Sequence, residues 1–189
     1  MKRRNIHTMV QCAILVAMAT VLSFLVLYEA PLGGSVTILS MLPICIAGLL
    51  HGPKWGFGTA FVYSVIQLLT SKCFAWGLTP TVLVVCILFD YIVAFTLLGV
   101  TGFFREKGRV GMCIGVLAAI TLRMICHYIT GVTIWEASMP DTWNNIWLYS
   151  LAYNAAYMLP EAAFTMMGTV AISAVPQLWR LLSGDRYVK

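Results

Sequence analysis

Apolar and polar positions fall in long blocks along this chain rather than alternating residue by residue. Six apolar stretches, bounded by Gly, Pro or charged residues, predict helices near residues 9–28, 36–50, 55–70, 80–103, 110–134 and 146–175. Pro31, Gly33 and Gly34 break the first from the second, and His51-Gly52-Pro53-Lys54 makes a tight turn before the third. Residues 71–80 and 135–145 are loops, Arg105–Arg109 is a charged turn, and Pro160 predicts a kink inside the last stretch. No alternation at period two and no repeat is visible. The expected fold is an all-α bundle of six transmembrane helices forming a single integral membrane domain over 1–189.

Composition explains why these helices belong in lipid. Of the 189 residues, 60% are hydrophobic and 10% charged, against roughly 25% charged in a soluble domain. So few charges cannot cover a soluble surface of this size. The run from Met9 to Tyr28 exceeds the apolar core of an ordinary signal peptide and predicts an uncleaved first span.

The net charge of +5 gathers at segment ends, which favours anionic headgroups over nucleic acid as its partner. With the N-terminus in the cytoplasm, Lys2, Arg3, Arg4, Lys54, Arg105, Lys107, Arg109, Arg180, Arg186 and Lys189 are all cytoplasmic. Only Lys72, beside Glu29, Glu136 and Asp141, lies outside. Both termini are therefore expected in the cytoplasm of a multi-pass protein of a bacterial plasma membrane. Trp76, Trp135, Trp143 and Trp147 fall at outer helix ends, where an interfacial belt is the default explanation. The six cysteines form no CxxC, and the three histidines are far apart in sequence. No disulfide framework, metal site or cofactor is expected.

Asp90, Arg123 and Glu161 lie near the middle of their spans. Each costs at least about 2.5–3.5 kcal/mol there if unpaired. Two acids and one base suit a cationic ligand, or else an acid–Arg pair that only joins helices. His127 follows Arg123 by four and shares its face, which Gly131 and Trp135 extend outward. On the last helix Tyr149, Tyr153, Asn154, Tyr157 and Glu161 form an aromatic and polar stripe. Such side chains suit a flat, charged heteroaromatic ring. On the first helix Ala13 and Ala17 form a small-residue strip, fit for close packing within the chain or against a partner. No HExxH, GxSxG or Walker A pattern occurs, so neither an enzyme nor an ATPase is expected of this chain.

Taken together, Leu122-Arg-Met-Ile-Cys-His-Tyr-Ile-Thr-Gly-Val-Thr-Ile-Trp135, Tyr149-Ser-Leu-Ala-Tyr-Asn154, Asp90-Tyr91 and Ala13-x-x-x-Ala17 resemble the substrate-binding S components of energy-coupling factor (ECF) vitamin importers. The thiamine-specific subfamily is the most similar, over essentially the whole chain. The resemblance implies that Asp90 faces the ligand's positive charge or aminopyrimidine and that Tyr91 and Trp135 stack on its rings. It implies polar contacts from His127, Tyr149 and Asn154. Arg123 would orient the acid or meet the ligand's hydroxyl side. Ala13 and Ala17 would dock on a transmembrane coupling protein, with two cytoplasmic ATPases driving release. An outer loop near 29–36 would be the lid. Two departures keep a related vitamin open, pyridoxine or a thiamine precursor: Asp90 stands where the family has Glu, and Gly34 where it has Trp. A stand-alone proton-coupled carrier using Asp90, Glu161 and His127 is the other alternative.

Overall fold

The computed structural model describes residues 2–31 and 33–183. Arg186 and Lys189, and the side chains of Lys2, Arg3 and Arg4, all used in the charge argument, lie outside the described residues. Helix α1 runs over Lys2–Ser23. It stops five residues short of the expected end, because Val26–Glu29 forms strand β1 and pairs antiparallel with β2, Ser35–Thr37. An apolar run of this length reads equally as helix or strand. The turn that follows decides it, with Ala30 N–H donating to Gly34 O at 2.6 Å and Gly33 at φ +89°. Only glycine adopts that conformation without strain.

The second helix, α2, is therefore Leu42–His51, not 36–50. Pro43 sits in its first turn, where a missing N–H costs nothing. Ten residues rise about 15 Å, half the hydrocarbon thickness of about 30 Å. Helix α3 is Pro53–Thr70, followed by a single 3-10 turn at Cys73–Ala75. Helix α4 spans Pro80–Phe104, α5 Gly108–Thr133 and α6 Ile146–Ala174. A 3-10 turn at Glu136–Ser138 separates the last two. Asn145 caps α6, its side-chain oxygen accepting from Trp147 and Leu148 N–H at 2.9 and 3.2 Å. A further short helix, α7, covers Pro176–Ser183.

Helix α4 is not uniform. Its stretch Cys86–Val93 is π-helical and Leu97–Phe104 is wound as a 3-10 helix. The widened turns carry Asp90 and Tyr91, and π-bulges of this kind recur at functional sites. The inner ends of α2, α3 and α4 meet backbone to backbone. A Cβ added to Gly99 would lie 2.6 Å from Phe57 Cα, and one on Gly56 2.8 Å from Gly48 Cα. Small residues give helices this approach in a membrane, where apolar surfaces alone supply little drive.

The surface is inverted relative to a soluble protein. Ile14, Leu69, Val110, Leu159 and Met167 face outward, whereas Thr101, Thr130 and Thr165 are fully buried. Among the described residues, four helices are long and apolar enough to cross a membrane: the α1 segment Asn5–Ser23, and α4, α5 and α6. The same inversion leaves Ala13 and Ala17 exposed on α1, while Cys12, Val16 and Ala19 turn into the core.

Candidate ligand-binding site

A cavity of about 320 Å³ opens between the hairpin and the adjoining ends of α1 and α3 to α6. Its volume lies at the low end of small-molecule pockets. Asp90, Tyr91, Arg123, His127, Gly131, Trp135, Tyr149, Asn154 and Tyr157 all line it.

Asp90 is the centre of its polar network and is 8% exposed. Its Oδ1 accepts from the Thr130 hydroxyl and lies 3.0 Å from His127 Nδ1. Its Oδ2 accepts from Trp135 Nε1–H at 3.2 Å. All three donors come from α5 or its end, at positions 127, 130 and 135, so one helix face grips the carboxylate. A buried acid satisfied this way keeps one orientation and retains spare lone pairs for a ligand. With Nδ1–H donating to Asp90, the neutral imidazole turns its Nε2 lone pair elsewhere; that atom is buried and has no partner.

Arg123 does not pair with an acid. Among the described residues no carboxylate lies within 4.0 Å of it. Its guanidinium stacks 4.0 Å over the Phe95 ring, with Nη1 2.8 Å from Met41 Sδ, and its Nε–H has no partner. Phe95 in turn meets Tyr63 edge-on at 5.6 Å and Tyr91 nearly parallel at 6.5 Å. This aromatic floor carries the cation by a cation–π contact.

Glu161 is not among the lining residues. It is 2% exposed, and its Oε1 accepts from Thr37 N–H at 2.7 Å and from the Thr37 hydroxyl at 2.5 Å. The acid ties α6 to β2, beneath the hairpin. Glu161→Ala would leave the buried Thr37 N–H unpaired. It is expected to destabilise the protein by about 2 kcal/mol, read as a lower Tm of the purified protein, while Glu161→Gln, which keeps an acceptor, falls much less.

Asn154 spends its amide within the fold. Its Nδ2 donates to Ser150 O at 2.8 Å and to His127 O at 3.3 Å, and its Oδ1 accepts from the Tyr157 hydroxyl at 2.6 Å. Gly131 faces the same contact: a Cβ there would overlap the Ser150 hydroxyl. Both residues set the spacing of α5 and α6. Tyr149, Tyr153 and Tyr157 form a ladder with centroids 6.0 and 5.9 Å apart.

At the mouth, Lys72 Nζ pairs with Glu29 Oε1 at 2.6 Å, linking the hairpin to the segment after α3. Trp76 turns inward instead of joining an interfacial belt. It meets Trp135 edge-on at 5.4 Å and lies against Gly33. Gly34, where the resembled family has Trp, abuts the Tyr157 ring so closely that a Cβ would come within 2.5 Å of it. Trp76 thus supplies an indole on that side of the cavity, whereas Tyr28 does not line it. Thr130 was not anticipated. Thr130 could have been found, since it follows His127 by three and Arg123 by seven on one face.

The chain matches known proteins in family, sequence and structure. A profile of the thiamine transporter protein family (Thia_YuaJ) matches residues 9–178. The thiamine transporter ThiT of Bacillus subtilis (strain 168) is 30% identical over 97% of both chains. The solved structure of ThiT from Listeria monocytogenes superposes with a TM-score of 0.73 at 23% identity, covering 93% of this chain and 98% of that one. The last match supports a shared fold.

Proposed function

Because the chain belongs to the thiamine transporter protein family, we propose that this multi-pass membrane protein is the thiamine-capturing S subunit of an ECF-type importer. The observation that carries the proposal is the buried Asp90 carboxylate, held by His127, Thr130 and Trp135 on one wall of an aromatic cavity. An acid in such a setting stabilises a cation, and the surrounding rings stack on a flat heteroaromatic. Tyr91, Trp135 and Trp76 supply the stacking faces. Asp90 and the Nε2 lone pair of His127 accept from an amino group. Tyr149 lines the same space, Asn154 and Gly131 keep its walls at the right distance, and Glu161 holds the hairpin from below.

Topologically, the chain is read as making six crossings with both termini in the cytoplasm, the second over residues 36–51 with α2 as its helical part, on the ten-to-one distribution of basic residues about the spans. The cavity then opens outward, and the hairpin with its Lys72–Glu29 link is the lid. Ala13 and Ala17 dock on a transmembrane coupling protein, and two cytoplasmic ATPases drive release of thiamine inward. The chain itself performs no chemistry.

The competing proton-coupled carrier would work alone. Uptake of labelled thiamine by a host producing this protein should therefore require the coupling protein and ATPases. Equal uptake in a host without them would overturn the S-subunit assignment in favour of the carrier.

A further inference from the structure

Three helices carry side chains around and beneath the cavity in matching layers. The floor layer is Tyr63 on α3, Phe95 on α4 and Arg123 on α5, joined by the 5.6 Å and 4.0 Å ring contacts. One helical turn outward from each lies Gln67, Tyr91 and His127, all of which line the cavity. Gln67 therefore lies on the α3 wall of the cavity, at the layer of Tyr91 and His127. Its Nε2 is buried and has no hydrogen-bond partner, as is the Nε2 of His127. An unmade hydrogen bond at a buried amide is costly, and the cavity is the free space beside it.

The two walls differ in kind. On the α5 side, Asp90 and the His127 lone pair offer acceptors. On the α3 side, the Gln67 amide offers N–H donors. A ring fitting this layer must carry a donor on one edge and an acceptor on another. An aminopyrimidine does so: its exocyclic amino group donates, and its ring nitrogens accept. We propose that Gln67 is a specificity-determining residue that donates from its side-chain amide to a pyrimidine nitrogen of the ligand while Asp90 and His127 take the amino group. The inference deepens the thiamine assignment and rests on it. It gives α3 a direct part in selection, where the sequence stripe had pointed only to α4 to α6.

The test is a tryptophan-fluorescence titration of purified full-length protein, wild type and Gln67→Leu. The ligands are thiamine and the two analogues in which one or the other pyrimidine nitrogen is replaced by C–H. Gln67→Leu should weaken thiamine about tenfold, one net hydrogen bond. For one of the two analogues wild type and variant should bind alike, because the contact is already gone. Gln67→Glu, which replaces the donor edge by acceptors, should weaken thiamine at least as much. The ligand-free Tm of Gln67→Leu should not fall, since an unpartnered amide has been removed; a structural role for Gln67 would lower it. Unchanged thiamine affinity in Gln67→Leu, or an equal loss for thiamine and both analogues, overturns the inference and leaves the thiamine assignment standing. A wild-type protein that does not bind thiamine overturns both.

Discussion

Asp90→Asn weakens thiamine binding at least about 30-fold, with little change in fold. The carboxylate is nearly isosteric with the amide, so packing is kept. What changes is charge and donor count. Asp90 accepts from Thr130, from Trp135 at 3.2 Å and faces His127 Nδ1 at 3.0 Å. An amide must turn an NH2 group toward at least one of these donors, so one buried N–H or O–H loses its acceptor. The remaining lining carboxylate, Glu29, is already paired with Lys72. Arg123 has no acid within reach and leaves the cavity short of negative charge once Asp90 is neutral. Losing a buried charged hydrogen-bond partner costs about 2–5 kcal/mol, and each 1.4 kcal/mol is tenfold. Calorimetric titration of the variant checks the figure; an unchanged dissociation constant would remove Asp90 from the site.

Ala17→Trp should separate capture from transport. Ala13 and Ala17 project from the exposed face of α1, opposite Cys12, Val16 and Ala19, which pack into the core. A bulky ring there meets nothing within the chain, so folding and thiamine affinity should stay at wild-type values. A coupling protein that packs closely on this strip would be pushed away. Overpacking costs about 1–3 kcal/mol, so uptake by cells carrying the full importer should fall at least about fivefold. Ala13→Trp should behave alike. Full uptake by both variants would show that docking uses another face.

These two sites differ in how far the sequence alone exposed them. The alanine strip is local, and its spacing is visible on one helix. Asp90, Arg123 and His127 were legible because a charge inside an apolar run has few explanations. Their partners were not. Depth along the helices put Asp90, Arg123 and Glu161 at one level, yet Arg123 rests on Phe95 and Met41, and Glu161 holds Thr37. The stripe Tyr149–Tyr153–Tyr157–Glu161 is continuous at helical spacing, but the cavity ends before its last member. Rotation about the helix axis is set by packing between helices, which periodicity does not report.

The fold divides in the same way. The bounds of α4, α5 and α6 lie within about two residues of the expected ones, because Pro, Gly and charges mark both ends of those helices. The β-hairpin was missed because Phe24–Tyr28 is as apolar as the helix before it, and a strand of four residues leaves no period to detect. The π-helical stretch of α4 depends on hydrogen bonds displaced by one residue and has no composition of its own. Trp76 sits at a helix end, where an interfacial belt is the default expectation; its edge-on contact with Trp135 joins two loops distant in sequence, which periodicity does not report.

Capture of thiamine in the cavity bounded by Asp90, His127 and the indoles of Trp76 and Trp135 can be measured on the isolated protein. Because both indoles line the cavity, ligand binding should alter intrinsic tryptophan fluorescence. Titration with thiamine should give saturable quenching with one site per chain, and pyridoxine should bind far more weakly. No quenching and no heat of binding with thiamine, or tighter binding of pyridoxine, would contradict the assignment.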